Sequence, residues 1–380
     1  MDIAFVSTYN ARNVINWSGL GYYISRSLED NGNNLQYVGE LPNSINVFNF
    51  LKKAFYSKIL NKKFDLERTV ARAKGYSENV ANRLKGANFD CVFSPGTIPI
   101  AFLKTDRPKV SYTDATFACM LNYYEPASMW SPDMIRQGHE IEKQALESSA
   151  LAIYSSDWAA ESAIQFYGIS PTKVKVVPFG ANFNEEYSEL EVKDFIAKRN
   201  DQTLKILFNG VNYIRKGGDL VVAAVQELQS RGLKVELHFA GLKELPFDKV
   251  PDFVVNHGFL KKAIPAERTI LEDLYKTSHF LFLPSIAEAF GCVFCEASSF
   301  GMPSISRKTG GVPTAIHNGV NGFTLDNSAS VHDYADLIYK YFTDKDKYTS
   351  LAMSSFHEYK KRLNWKVAGE SITTLIKELG

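Results

Sequence analysis

Short apolar runs alternate with longer amphipathic stretches along the chain. "IAFVST" (3–8) reads as a buried strand, and "LGYYISRSLEDNG" (20–32) as a helix ended by a glycine. "CVFSPG" (91–96), "KVSYTD" (109–114), "LAIYSS" (151–156) and "KVKVVPFG" (173–180) continue that strand series. A second series runs through "LKILFNG" (204–210), "VELHFAG" (235–241), "FVVNHGF" (253–259), "HFLFLPS" (279–285) and "PSISR" (303–307). Strands alternating with helices predict parallel sheets covered on both faces. Two such series predict two doubly wound domains whose ligands bind beyond the carboxyl ends of the strands. Between the series, residues 177–202 pass through Pro178 and Gly180 and then turn polar and charged, which is linker chemistry. The expected domains are 1–182 and 183–358, with an amphipathic helix in 359–380 closing the chain.

Composition narrows this little. Of the 380 residues, 45% are hydrophobic and 22% charged, and the 43 basic and 42 acidic side chains nearly cancel, so nothing suggests a nucleic-acid partner. No run approaches the ~18 apolar residues of a membrane span. "MDIAFVSTYN" reads as a strand rather than as a secretory leader. Four cysteines (Cys91, Cys119, Cys292, Cys295) fit a reducing compartment, and the expectation is a cytoplasmic protein.

The chemistry concentrates between Leu283 and Gly311. "HFLFLPS", "GCVFCEASSFG" and "PSISR" form a strand–helix–strand unit. It sets Glu288 in the loop leaving the first strand and Glu296 early in the helix, with seven residues between them. Both carboxylates are then expected to face one crevice. A carboxylate accepts two hydroxyl hydrogen bonds at once, which suits vicinal hydroxyls of a sugar. Gly291 removes a side chain where helix N–H groups could meet an anion. Taken singly, each glutamate is equally read as a structural residue that the helix dipole favours.

"PSIAEAFGCVFCEASSFGMPSISRKTGG" resembles the signature of the retaining, glycogen-synthase-like glycosyltransferases of the large fourth family (glycosyl transferases group 1). "VKVVPFGAN", "FNGVNYIRKGG", "NHGFL", "GVPTAIHNGVNGFTLD" and "NW…A…I" resemble further segments of that family, in its order. The resemblance implies an α/β GT-B fold, two Rossmann-like doubly wound domains facing across a cleft, with the closing helix packed back on the first domain. It implies a nucleotide-sugar donor held mainly by the second domain, no metal or other cofactor, and a bacterial envelope or exopolysaccharide role. Glu288 would contact the donor sugar and Glu296 the ribose. Backbone amides at Phe290, Gly291 and Cys292 would hold sugar hydroxyls or phosphate, and Asn209, Gly210, Phe259, Leu260 and Val293 would complete the donor site. The base rate of the resemblance favours UDP-glucose, with a saccharide or lipid-linked saccharide as acceptor.

A metal-free enzyme needs fixed cations for the departing diphosphate, each often worth ~3–4 kcal/mol. Arg215 and Lys216 lie just beyond a strand and ahead of a helix. Lys216 matches the family lysine, whereas Val211 stands where the family usually has arginine, so Arg215 is expected to reach the phosphates instead. In the first domain Gly19 resembles part of the family's glycine-rich loop. Asp114 stands about where relatives carry a histidine, and is read equally as a sugar contact or as a cap. His139 lies in a helical pattern and is read as structural.

Residues 48–74 hold eight basic residues against Asp65 and Glu67, with Phe48, Leu51, Phe55 and Ile59 at helical spacing. Such a helix either packs its apolar face on its own domain or lies on an anionic membrane, here the inner face. "CVFC" (292–295) has no partner pair and reads as core, and "DKD" (344–346) lies away from any strand end. Two other functions share these expectations: a non-catalytic nucleotide-sugar-binding subunit, and a nucleotide-sugar epimerase of the same fold.

Overall fold

Each buried run becomes a strand of a parallel sheet. The computed structural model describes residues 1–42, 47–183, 186–199 and 201–379, and the chain divides into two units, Met1–Pro178 with Trp365–Gly380, and Phe179–Asn364. In the first unit β1 (Asp2–Val6), β2 (Asn34–Val38), β3 (Cys91–Ser94), β4 (Lys109–Thr113), β5 (Leu151–Tyr154) and β6 (Val174–Val176) pair in the order β2-β1-β3-β4-β5-β6. In the second, β7 (Leu204–Asn209), β8 (Val235–Ala240), β9 (Val254–Asn256), β10 (Phe280–Phe282), β11 (Ser304–Arg307) and β12 (Gly322–Leu325) pair in the order β12-β11-β10-β7-β8-β9. All these pairs are parallel. The second order is that of dinucleotide-binding sheets, while the first follows the flavodoxin-like order with one strand more. The strand order reverses between β1 and β3 in one unit and between β7 and β10 in the other, so a ligand crevice is expected at each of those points.

β2 and β12 are absent from the sequence reading, and both are edge strands. An edge strand need not be apolar throughout; β2 alternates exposed and half-buried positions along "NLQY" before the buried Val38. The expected linker is also more structured than its polarity suggests. Glu189–Lys198 is a helix of the second unit, opened by a capping box between Ser188 and Glu191, with Val192 and Ile196 buried. Arg199 beyond it is buried and donates to the carbonyls of Gly301 (2.7 Å) and Phe300 (2.8 Å) and to the Tyr348 hydroxyl (2.7 Å). Residues 184–185 and 200 of that stretch, and residue 380 of the closing helix, lie outside the described residues.

The helix Lys345–Arg362 belongs to the second unit, and Asp344 of the "DKD" triplet is simply its cap. The chain then returns to the first unit. Its last helix, Trp365–Lys377, packs on Leu20–Asp30, with Trp365 stacked on Tyr23 (6.1 Å) and Asn33 donating to Thr373 (2.8 Å). Among the described residues no helix is long and apolar enough to cross a membrane.

Candidate functional site

The strands on either side of the second unit's reversal point, β7 and β10, deliver the candidate residues. β7 ends at Asn209, and Gly210 follows, its N–H bonded to the carbonyl of Ala240 (2.9 Å). A tight turn then brings Arg215 and Lys216 back over the sheet end, closed by Gly217 at φ 79°. A side chain at Gly217 would lie 2.4 Å from the carbonyl oxygen of Pro284, so only glycine fits the crossing of the two loops. The same crossing is tied by the Ile286 N–H, which donates to the Arg215 carbonyl (2.8 Å).

Within this turn the two cations meet one carboxylate. Lys216 is buried and its Nζ donates to Oε2 of Glu288. Arg215 Nη1 donates to the carbonyl of Ala287 (2.7 Å) and lies 3.7 Å from the same Oε2. Glu288 thus aligns both cations at one point. Val211 is 65% exposed and lies outside the cluster, while Arg215, four residues later in the turn, reaches it.

Glu296 is held differently. It is buried in the helix Cys292–Ser299, where one oxygen accepts from Lys262 and the other from the Tyr275 hydroxyl (3.0 Å), which in turn accepts from Asn209 (2.9 Å). Burial first, and the Glu296 charge next, push the Tyr275 hydroxyl well above its ordinary pKa, so it stays a donor. Lys262 also donates to the Asn182 carbonyl (3.3 Å) and lies 4.6 Å over the Phe183 ring. The two glutamates therefore answer to different lysines, and Glu296 sits in a buried relay rather than on an open wall. Lys262 and Tyr275 are missing from the sequence candidates. Tyr275 lies in the last turn of the helix Pro265–Thr277, between Leu274 and Lys276, and only its contact with Asn209 and Glu296 distinguishes it.

Phe290 packs edge-on against Phe179 (5.4 Å). Gly291, at φ 89°, starts the Cys292–Ser299 helix, and Cys292 and Val293 are half-buried in its first turn. Phe259 is exposed and Leu260 half-buried in the loop after β9, beside Gly241, whose N–H bonds the Gly258 carbonyl (2.8 Å). Cys295 is buried and the four cysteines are free thiols. Among the described residues no group of three or more His, Cys, Asp or Glu could hold a metal ion.

A shared detail links the helices that start at these crevices. Those after β1, β7 and β10 begin at Gly19, Gly217 and Gly291, all with positive φ and none with a side-chain cap. Elsewhere Thr69, Ser131, Ser156, Ser188, Ser330 and Asp344 cap helices with their side chains. A capping side chain satisfies first-turn N–H groups; a glycine leaves them to another acceptor, and an anion is the natural one.

The first unit holds the remaining candidates. Asp114 follows β4, half-buried, and Gly19 starts the Leu20–Asp30 helix. Tyr9, absent from the sequence candidates, belongs with them. Its buried hydroxyl has no hydrogen-bond partner among the described residues, and a side chain at Gly21 would come within 2.7 Å of it. Burial, followed by the Asp114 charge, raises its pKa. His139 is packed between Phe117 and Phe166 and contacts the Tyr167 hydroxyl (3.0 Å), as a structural residue would be.

Residues 191–356, most of the second unit, match the family described as Glycosyl transferases group 1. A D-inositol 3-phosphate glycosyltransferase of Xylanimonas cellulosilytica is 26% identical over 251 residues, 62% of this chain and 59% of that protein. The phosphatidylinositol N-acetylglucosaminyltransferase gpi3 subunit of Schizosaccharomyces pombe is 26% identical over 200 residues, 51% of this chain and 41% of that one. The chain thus spans about three-fifths of the curated relatives of the first kind. Sucrose-phosphate synthase of Thermosynechococcus elongatus superposes with a TM-score of 0.70 at 14% identity, covering 100% of this chain and 99% of that one. Anabaena HepE in complex with UDP and glucose superposes at 0.61 and 15% identity, covering 99% of each. These likenesses establish the fold as GT-B.

Proposed function

We propose, from a second unit that carries the group 1 glycosyl transferase domain, that this chain is a retaining hexosyltransferase working without a metal. Its donor would be a nucleoside diphosphate sugar, UDP-glucose first. Its acceptor would be a saccharide or lipid-linked saccharide in polysaccharide synthesis at the cytoplasmic face of a membrane. The observation that carries the reading is the convergence of Arg215 and Lys216 on Glu288 at the reversal point of the second sheet. A donor diphosphate would take over the two cations, and Glu288, relieved of them, would accept hydroxyls of the sugar. The anomeric carbon's bond to the phosphate oxygen would break as its bond to the acceptor oxygen forms on the same face. The acceptor proton would pass to the phosphate oxygen, so no protein nucleophile is needed. The HepE structure with UDP and glucose supports a UDP-sugar for this chain.

The test is release of free nucleotide from a panel of UDP-, GDP- and ADP-sugars in the presence of a chelator, with and without saccharide acceptors. Release from one donor, insensitive to chelator and lost in Glu288→Ala, is expected. Donor binding that Glu288→Ala leaves unchanged, or release that requires a divalent cation, would sink it.

A second reading of the acceptor, a phosphorylated polyol, is favoured by one observation. A pocket of about 240 Å³ at the carboxyl ends of β1 and β2 is lined by Ser7, Arg12, Tyr37 and Arg83, with Glu40 at its side. Arg12 lies 4.2 Å over the Tyr37 ring. The relatives named for inositol 3-phosphate support it. If it holds, inositol 3-phosphate accelerates nucleotide release, and Arg12→Ala raises its KM without lowering kcat.

A further inference from the structure

The helix Val47–Lys58 has no buried residue. Val47, Phe50, Leu51, Phe55 and Ile59 recur at helical spacing, so they share one side. They are all exposed, from 48% for Phe55 to 69% for Val47 and Ile59. The other side holds the helix to its unit: Lys52 pairs with Asp133 (2.7 Å) and Tyr56 stacks on Phe64 (5.6 Å). The segment beyond is fastened too, Lys63 exchanging backbone hydrogen bonds with Met129 (2.7 Å) and Ser131 (3.0 Å). An ordinary surface helix does the reverse, burying its apolar stripe and wetting its polar one. Of the two readings of this helix, the one that packs its apolar face on its own domain does not hold.

We propose that this stripe docks on an anionic phospholipid surface. Charge selects that occupant. Residues 47–63 contain five lysines and no acidic residue, and Lys53 and Lys58 are exposed on the flank and last turn of the helix. A second copy of the chain would bring the same cations against themselves, whereas anionic headgroups neutralise them. The helix is far too short to span a bilayer, so it would lie in the interface, with Phe50, Leu51 and Phe55 among the acyl chains and the lysines at headgroup level. The inference goes beyond the transfer reaction and is tested without donor or acceptor.

Sedimentation of the full chain with vesicles of equal parts phosphatidylcholine and phosphatidylglycerol, against pure phosphatidylcholine, measures it. Binding to the anionic vesicles alone is expected. Lys53→Ser and Lys58→Ser should each weaken it about fivefold, and Phe50→Ser with Leu51→Ser and Phe55→Ser should abolish it. These side chains are exposed, so folding should survive, and an unchanged melting curve checks this. Phe50→Trp gives a second readout, a blue shift in emission on adding anionic vesicles that exceeds any seen in the parent chain. A chain left in the supernatant, equal binding to neutral vesicles, or no added blue shift in the Phe50→Trp variant would overturn the proposal. So would a dimer in sedimentation equilibrium that the triple Ser variant converts to monomer.

Discussion

Lys216 and Arg215 differ in what they have besides Glu288. Arg215 keeps the Ala287 carbonyl as a fixed partner, while Lys216 is buried with its Nζ on the carboxylate. Lys216→Ala should therefore cut kcat for transfer by about 10²–10³, the usual loss for one preorganised group facing developing charge, with little change in KM for acceptor. Steady-state kinetics on the donor found in the panel checks it. A residue outside this site gives a pH signature. His238 on β8 lies 3.0 Å from His257, and burial, then His257 and Lys205, pull its pKa from 6.5 to about 4. Between those values the unfolded chain binds a proton that the folded chain does not. Stability is thus held above pH ~6.5 and lost as pH falls toward 4, by on the order of 2 kcal/mol. Urea unfolding across that interval should show the loss, and His238→Phe should flatten it. Glu288, Lys216 and Gly291 are legible in the sequence because they lie in one short stretch or one turn. Lys262, Tyr275 and Tyr9 are not, because their meaning lies in partners far along the chain.

Helix starts separate function from stability at the scale of the element. Gly217 and Gly291 hold left-handed backbone and admit no side chain beside Pro284 and Phe294. Gly217→Ala should cost roughly 2–3 kcal/mol from backbone strain and the clash with the Pro284 carbonyl, and should also weaken donor binding. Ser188→Ala removes an ordinary cap and should cost about 1 kcal/mol with donor binding untouched. Chemical denaturation paired with calorimetry distinguishes the two outcomes. The interior strands are readable because strands covered on both faces are built mainly of apolar and small residues, the buried serines of β4 and β11 among them. The edges β2 and β12 lack that constraint and leave no such trace. The Glu189–Lys198 helix does carry a signal, S-x-x-E at 188–191, outweighed there by the charge of the stretch. The helix Val47–Lys58 is legible as a helix, but which side it presents depends on Asp133 and Phe64, and periodicity alone is silent on that.

At the scale of the whole molecule the second unit is an insertion, because the first is built from both ends of the chain. Gly369 lies against the helix Leu20–Asp30 so closely that a side chain there would come within 2.3 Å of the Ser27 carbonyl. Gly369→Val should lift the Trp365–Lys377 helix from its seat and destabilise the first unit by about 2–4 kcal/mol. Hydrogen exchange should then rise in β1 and β2 while β7 and β10 keep their protection. The same arrangement governs synthesis. A ribosome finishes residues 179–364 before it delivers Trp365–Lys377, so the Tyr23 and Ser27 side of Leu20–Asp30 waits uncovered. At ~5–20 residues per second the wait is roughly 10–40 s. The nascent first unit is thus expected to present this uncovered face to chaperones during synthesis, while the inserted unit, contiguous in sequence, can fold as it emerges.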